Sequence, residues 1–197
     1  MSDSKTSVIR YADEALRDSA VAFIAEEYAR EFGTRPQNAP DHLFVATCGD
    51  EIVGTLGLNM SYSSLPRLAR VYRFDWDKAP YPVELGKIVE MGRWIAKRPG
   101  VADALLCAGV ALAFAYGKSV GWCEQGTTLN RVCRAKGLAL ARVDAELDLA
   151  QIDPSDMSFY KRTEGIGLYM FELRQWQEAL DKSRRNWSRH VTFQLPQ

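Results

Sequence analysis

Apolar residues along the chain switch between a two-residue and a near-3.6-residue period, the pattern of strands alternating with helices. Ser7 to Tyr11 reads as a first strand. Across Ala12 to Phe32, the residues Leu16, Ala20, Phe23, Ile24, Tyr28 and Phe32 recur at helical spacing, and Gly33 ends that helix. Thr34 to Asp41 contains Pro36 and Pro40 and reads as loop. His42–Cys48 and Glu51–Met60 are largely apolar strands around Gly49-Asp50, a hairpin signal. In the second of them Leu56, Leu58 and Met60 alternate with small or polar residues, which suits either ordinary core or the wall of an apolar channel.

Tyr62 to Val83 has neither period. It is aromatic (Tyr62, Tyr72, Phe74, Trp76, Tyr81) and charged (Arg67, Arg70, Arg73, Asp75, Asp77). A connection of that length is commonly functional or disordered, and its aromatic content argues against disorder. Two readings stand: a lid or wall over a ligand, and a satellite cluster packed beneath a loop.

The next stretch, Lys87 to Lys118, organises the rest of the chain. It predicts a buried strand over Lys87–Ala96, a turn at Lys97-Arg98-Pro99-Gly100, and a helix rich in small residues. The apolar run of that helix, Ala104 to Gly117, is 14 residues, short of the ~20 that cross a membrane. Gly121–Thr127 is a further strand. Thr128–Lys136 is a short helix with Gly137 as its C-cap. Leu138–Leu149 reads as one strand, Gln151–Glu164 as loop and Gly165–Leu173 as a last apolar strand. Arg174–Trp187 is an amphipathic helix with Trp176, Leu180 and Trp187 on one side, and residues 188–197 carry no clear pattern. The order of elements predicts an α/β (α+β) chain, one domain over residues 1–197, with 174–197 as C-terminal helix and tail.

Composition narrows the function classes. The 47% hydrophobic and 25% charged fractions are those of a globular chain. Twenty-five basic residues balance 25 acidic ones, so bulk charge makes no case for nucleic acid. Cys48, Cys107, Cys123 and Cys133 lie in apolar segments without close pairing and read as reduced, buried thiols. With His42 and His190 as the two histidines, neither a zinc site nor a cysteine–histidine nucleophile is expected. The polar start, MSDSKTS, lacks the apolar core of a signal peptide, so a cytoplasmic location is expected.

The candidate chemistry sits in the Lys87–Lys118 unit. Glu90 and Arg93 are charges in a strand that otherwise reads as interior. Glu90 on an edge would simply face water. Buried among apolar neighbours its pKa would rise, which suits a base near neutral pH. Arg93, three residues on, belongs to the opposite face of a regular strand unless a bulge intervenes. The basic turn then leads into a helix start, where unpaired N–H groups and the helix dipole favour an anion.

KRPGVA resembles the pyrophosphate loop of the GNAT superfamily, Gln/Arg-x-x-Gly-x-Gly/Ala: Gly100 and Ala102 match, with Lys97 where Gln or Arg is usual. Glu90-Met91-Gly92-Arg93 is similar to the Glu-x-Ser-Arg of acyl-homoserine-lactone synthases, with Gly92 in place of Ser. Residues 43–173 resemble thermostable-haemolysin-type sequences, with their Val-Glu-x-Gly core and following x-Pro-Gly-x-Ala. The chain as a whole resembles the long-chain N-acyl amino acid synthases. The Arg/Phe/Trp set near the N-terminus of the lactone synthases has no clean counterpart, although Asp41 weakly matches one of their acidic residues.

The resemblance implies a GNAT-like acyl-CoA N-acyltransferase fold: a mixed central sheet, splayed where the thioester enters, with helices on both faces. The splay would lie between Lys87–Ala96 and Gly121–Thr127. It implies transfer of a fatty acyl group from acyl carrier protein, or from acyl-CoA, to the amine of an amino acid, tyrosine being the first acceptor to consider. No permanently bound cofactor is expected beyond the donor's acyl-phosphopantetheine. Glu90 and Arg93 become catalytic candidates, with the backbone at Met91, Gly92 and Trp94 stabilising the oxyanion. Lys97, Arg98, Gly100, Val101 and Ala102 would hold the phosphopantetheine. Lys97, Arg98, Arg131, Arg134 and Lys136 would form a basic rim for an acidic carrier. Leu58, Met60, Tyr72, Phe74, Trp76 and Trp94 would line the acyl and acceptor pocket. The alternatives are an acetyl-CoA-dependent acetyltransferase, a homoserine-lactone-type synthase, and a catalytically silent lipid- or carrier-binding or haemolysin-like protein.

Overall fold

The computed structural model describes residues 6–36, 38–60, 67–82 and 84–194. Tyr62 and Val83, at the ends of the aromatic connection, lie outside them. The chain runs β1 (Ser7–Tyr11), α1 (Glu14–Phe32), β2 (His42–Cys48), β3 (Glu51–Asn59), α2 (Arg67–Val71), β4 (Tyr72–Phe74) and β5 (Ile88–Ala96). It continues through α3 (Val101–Ala115), β6 (Val120–Gln125), α4 (Thr127–Ala135), β7 (Ala141–Arg142), β8 (Ala145–Leu147), α5 (Met157–Arg162), β9 (Gly167–Glu172), α6 (Leu173–Trp187) and β10 (Val191–Gln194).

Eight strands form one mixed sheet in the order β10-β1-β2-β3-β5-β6-β9-β7, and β4 pairs with β8 in a separate ribbon. Strand alternation assigns the two faces. Phe44, Ala46, Leu56, Leu58, Val89, Met91 and Phe171 join the cluster under α3 and α6. Their neighbours Leu43 and Val45 pack under α1 on the other face. There Ile88, Trp122, Leu168 and Met170 pack with α2 and α5 residues such as Leu68 and Tyr160. The helices are therefore on both faces, as the resemblance implied. No helix among the described residues is long and apolar enough to cross a membrane.

Local signals explain the longer helices. The Asp13 side chain accepts a hydrogen bond from the Leu16 N–H at 2.9 Å, capping α1, and Gly33 ends it in the left-handed conformation, φ 67°. The departures from the sequence reading are short elements held by tertiary contacts. α2 and α5, with 5 and 6 residues, are too short to show a period. Leu138–Leu149 is not one strand: β7 pairs with β9 and β8 pairs with β4, so the chain changes sheet between them. The patternless tail contains β10, which adds to β1 in parallel.

The sheet opens at its centre. β5 and β6 run parallel and pair at Ile88–Val120, Val89–Gly121 and Glu90–Trp122 only. Beyond Glu90 the strands diverge: β5 stays on β3, and β6 stays on β9 as far as Gln125–Gly167. A bulge lies on the β3 side of β5, where the register jumps from Gly57–Gly92 to Thr55–Ile95. Arg93 sits in that bulge with φ 53°, and its carbonyl accepts a 2.8 Å hydrogen bond from the Thr55 hydroxyl.

Gly121 holds the closed end of the opening. A Cβ there would lie 2.1 Å from the ring of Phe171, which is fully buried. Gly121→Ala is expected to cost about 1–3 kcal/mol of stability by overpacking, measurable as a lower midpoint in denaturant at unchanged m-value.

Candidate active site

Glu90 is 5% exposed, on the face covered by α1, α2 and α5. Its carboxylate accepts a 2.7 Å hydrogen bond from the Leu68 N–H in α2, and the Asn59 side chain bonds it from β3. Burial raises its pKa above the ordinary 4.5, against the lowering pull of the Leu68 N–H and of the Arg67 charge. Asn59 also accepts from the Asp41 N–H at 3.0 Å, and Asp41 accepts from the Met60 N–H, so the loop before β2 is tied to the same corner.

A second buried acid faces the same space. Glu124 of β6 bonds to the Tyr160 hydroxyl of α5 at 2.7 Å and pairs with the Arg67 guanidinium of α2. Burial and then Glu124 raise the pKa of Tyr160, which is therefore a neutral phenol at ordinary pH. Burial works against the charge on Arg67, but Glu124 and Tyr160 outweigh it and hold the pKa up. The sequence reading missed this set. An acid inside the apolar run of β6 is the same signal that singled out Glu90; Tyr160 sits in a segment that reads as loop.

The bulge brings Arg93 to this side. Its guanidinium lies over the Tyr28 ring of α1, 5.1 Å from the centroid. A cavity of about 310 Å³ is lined by charged groups: Asp41, Arg67, Arg70, Glu90, Arg93 and Glu124, with Tyr28, Phe159 and Tyr160 as aromatic walls. A second, about 680 Å³, occupies the opening between β5 and β6. Its inner walls are Leu56, Met91, Trp94, Leu106, Phe171 and Trp176; Lys97, Thr127 and Thr128 also border it. The two cavities share Met91, Gly92, Arg93 and Glu124, so they meet beside Glu90. A Cβ on Gly92 would touch nothing within 4 Å, so packing does not demand glycine there.

The other predicted residues divide. Of the six pocket residues, Trp94 lines the cleft. Leu58 and Met60 are core beneath α3, since they point to the far face of β3. Tyr72 is buried in the α2/α5 cluster. Phe74 packs edge-on and Trp76 tilted against Trp122, with ring centroids 5.6 Å away in each case. Among the described residues of the 62–83 connection, Tyr72, Phe74, Trp76 and Tyr81 thus form a satellite cluster, while Arg67, Leu68 and Arg70 reach the polar cavity.

Gly100, at φ 80°, caps α3, and a Cβ there would lie a tight 3.1 Å from Trp187. Val101 contributes only backbone at the helix start, since its side chain is fully buried, and Ala102 follows it in the first turn. Lys97 pairs with Glu27 at 2.6 Å, and Arg98 turns toward the Cys48 sulfur. Lys136 pairs with Asp103 at 2.7 Å. In the predicted basic rim, Lys97, Arg131, Arg134 and Lys136 are exposed and Arg98 is half-buried.

No protein-family model matches the chain, and no curated protein sequence does. Solved structures do. The AHL synthase LasI aligns over 89% of this chain and 95% of its own, at 12% identity and TM-score 0.61. FeeM, an N-acyl amino acid synthase from uncultured soil microbes, aligns over 88% and 94%, at 13% identity and TM-score 0.57. The CoA-dependent acyl-homoserine lactone synthase BjaI, solved with SAM and isopentyl-CoA, aligns over 97% and 95%, at 14% identity and TM-score 0.62. The chain has the GNAT-like fold of these proteins.

Glu90 has a stability signature. A native pKa raised above the unfolded value means that the native state holds the proton more tightly. Stability therefore falls as pH climbs from about 4.5 through the native value. Glu90→Gln keeps an acceptor for the Leu68 N–H and removes the buried charge. Its Tm is expected to match wild type below pH ~4.5 and exceed it at higher pH, measured by thermal scans across pH.

Proposed function

We propose that the chain is an N-acyl amino acid synthase: an N-acyltransferase that moves a long-chain fatty acyl group from acyl carrier protein to the amine of an amino acid. The observation that carries this reading is the meeting of a charged cavity and an apolar cleft at Met91–Arg93, beside two buried acids. An amine acceptor with a carboxylate suits the first, where Glu90 and Glu124 face Arg67, Arg70 and Arg93. A thioester with an alkyl chain suits the second, where each buried methylene contributes ~0.8 kcal/mol.

The chemistry follows from that placement. The acceptor arrives as an ammonium, which has no lone pair. Glu90, its pKa raised toward neutrality by burial, takes one proton directly or through a water. The nitrogen adds to the thioester carbon, and the carbonyl oxygen becomes an oxyanion. Backbone N–H groups at Met91, Gly92 and Trp94, where β5 has no β6 partner, stabilise it by ~3 kcal/mol per donor. The C–S bond breaks and the sulfur leaves as a thiol. Ammonium and thioester become amide, thiol and one released proton. Arg93, stacked on Tyr28, holds the acceptor's carboxylate. Lys97 and the amides of Gly100, Val101 and Ala102 take the donor's phosphate. Arg131 and Arg134 steer an acidic carrier to the cleft mouth. Tyrosine is the first acceptor to test, given the aromatic walls Tyr28 and Phe159.

The test is product mass after incubation with each amino acid and long-chain thioesters of carrier protein or CoA. A long-chain N-acyl amino acid is expected. Products from acetyl-CoA alone would move the reading to an acetyltransferase, and no product from any donor would reject it. Glu90→Gln should lower kcat by about 10²–10⁴-fold. Gly92→Leu should fill the junction and abolish turnover while stability stays within about 0.5 kcal/mol of wild type, checked by denaturant melts.

A further inference from the structure

Asn59 is the last residue of β3 and the register partner of Glu90 on β5. Side chains of directly paired residues stand on one face about 5 Å apart, and both of these border the polar cavity. A primary amide has two unlike ends, an oxygen that accepts and a nitrogen that donates. The Asp41 N–H, 3.0 Å from the Asn59 oxygen, fixes which end is which. With the oxygen engaged there, the bond to Glu90 comes from the NH2 group. The side chain is therefore a directional bridge from the loop before β2, through β3, to the carboxylate on β5. Its loop end is anchored in turn. The Asp41 carboxylate accepts from the Met60 N–H at 3.0 Å, and Arg17 of α1 donates to the Pro40 carbonyl. Pro40 and Asp41 wall the same cavity.

Glu90 is thus gripped from two directions, by the Leu68 N–H of α2 and by the Asn59 amide of β3. Both bonds favour the ionised carboxylate, the form that can take a proton. The charged groups that face it around the cavity are Arg67 and Arg70 of α2, Glu124 of β6, Asp156 at the start of α5, Asp41, and Arg93 on β5 itself. Tyr28 of α1 and Tyr160 of α5 add phenols. Arg67 favours the ionised form and Glu124 opposes it, and those two are paired with each other. A cation bonded to Glu90 would compete with an incoming ammonium. A neutral amide holds the carboxylate in place and leaves its charge for the substrate.

We infer that Asn59 is a positioning residue for Glu90: its side-chain amide orients the carboxylate toward the acceptor cavity and ties that orientation to the acceptor loop through Asp41. This rests on the reading of Glu90 as the base.

Two substitutions separate the ends of the bridge. Asn59→Asp keeps an acceptor for the Asp41 N–H and replaces the donor with a second acid. Asn59→Leu removes both ends. The first readout is the pH profile of kcat/KM with the amine acceptor varied. Its acid limb should move up by about one pH unit in Asn59→Leu, the size of one lost bond to a charged group. It should move further in Asn59→Asp, where two carboxyls share one place. KM for the thioester donor should stay at the wild-type value. A role confined to holding the loop gives the opposite order: Asn59→Asp behaves as wild type, and Asn59→Leu is impaired equally at every pH. That order, or an acid limb unmoved in both variants, overturns the assignment.

A second readout needs no substrate. The carboxyl-carbon resonance of Glu90, assigned by its loss in Glu90→Gln, is titrated by NMR. It should titrate at higher pH in both variants than in wild type, and Asn59→Leu alone decides this if Asn59→Asp does not fold. If that displacement is seen while wild type turns over no thioester, the Asn59–Glu90 link stands and the acyl-transfer reading fails. If thioesters are turned over and the resonance titrates at one pH throughout, the link fails and the reading stands. Neither displacement nor turnover sinks both.

Discussion

The structure depends on the end of parallel pairing between β5 and β6 at Glu90 and Trp122. Each strand has a stronger claim on its outer neighbour. β5 continues antiparallel on β3 through a bulge at Arg93, and β6 continues antiparallel on β9 through Gln125. The bulge adds local twist and turns the far half of β5 away. Inter-strand hydrogen bonds cannot stretch across the gap, so it widens into a cleft. Backbone groups that a closed sheet would consume are left facing it.

That one opening explains how the charges are distributed. Glu90 lies in the last paired row and Glu124 two residues beyond it on β6, so both acids stand at the apex of the wedge. Neither is stranded in a dry interior. Glu90 is capped by α2 and Asn59, and Glu124 is paired with Arg67 and Tyr160. Two short helices, α2 and α5, are tied to the sheet by these bonds as well as by apolar packing. Burying the acids is costly, and the hydrogen bonds from α2 and α5 offset that cost.

The opposite face is an apolar cluster beneath α3 and α6. α3 approaches the sheet closely because Gly109 admits the Leu56 side chain. α6 seals the far end of the cleft by stacking Trp176 on Phe171, 3.7 Å between ring centroids. The cleft therefore passes from a charged layer under α1 and α5 to an apolar layer under α3 and α6. A substrate with a polar head and a long apolar tail matches that gradient.

Much of this was legible in the order of residues. Strand and helix periods located β1, α1, β2, β3, β5, α3, β6, β9 and α6, because each buries a regular stripe long enough to show. Glu90 stood out as a charge within an apolar run, and the turn at Pro99-Gly100 marked where β5 gives way to α3. Local pattern did not reveal which apolar residues are core: Leu58 and Met60 lost their channel role to the pleat of β3, and Phe74 and Trp76 lost theirs to Trp122. Nor did it place Tyr160 or Arg67 beside Glu124, or tie Lys97 and Lys136 to Glu27 and Asp103. Those are contacts between residues distant in sequence, formed only when the sheet brings their elements together. Periodicity records which side of an element is buried. What that side meets is decided by strand order, and here by the one place where two neighbouring strands part.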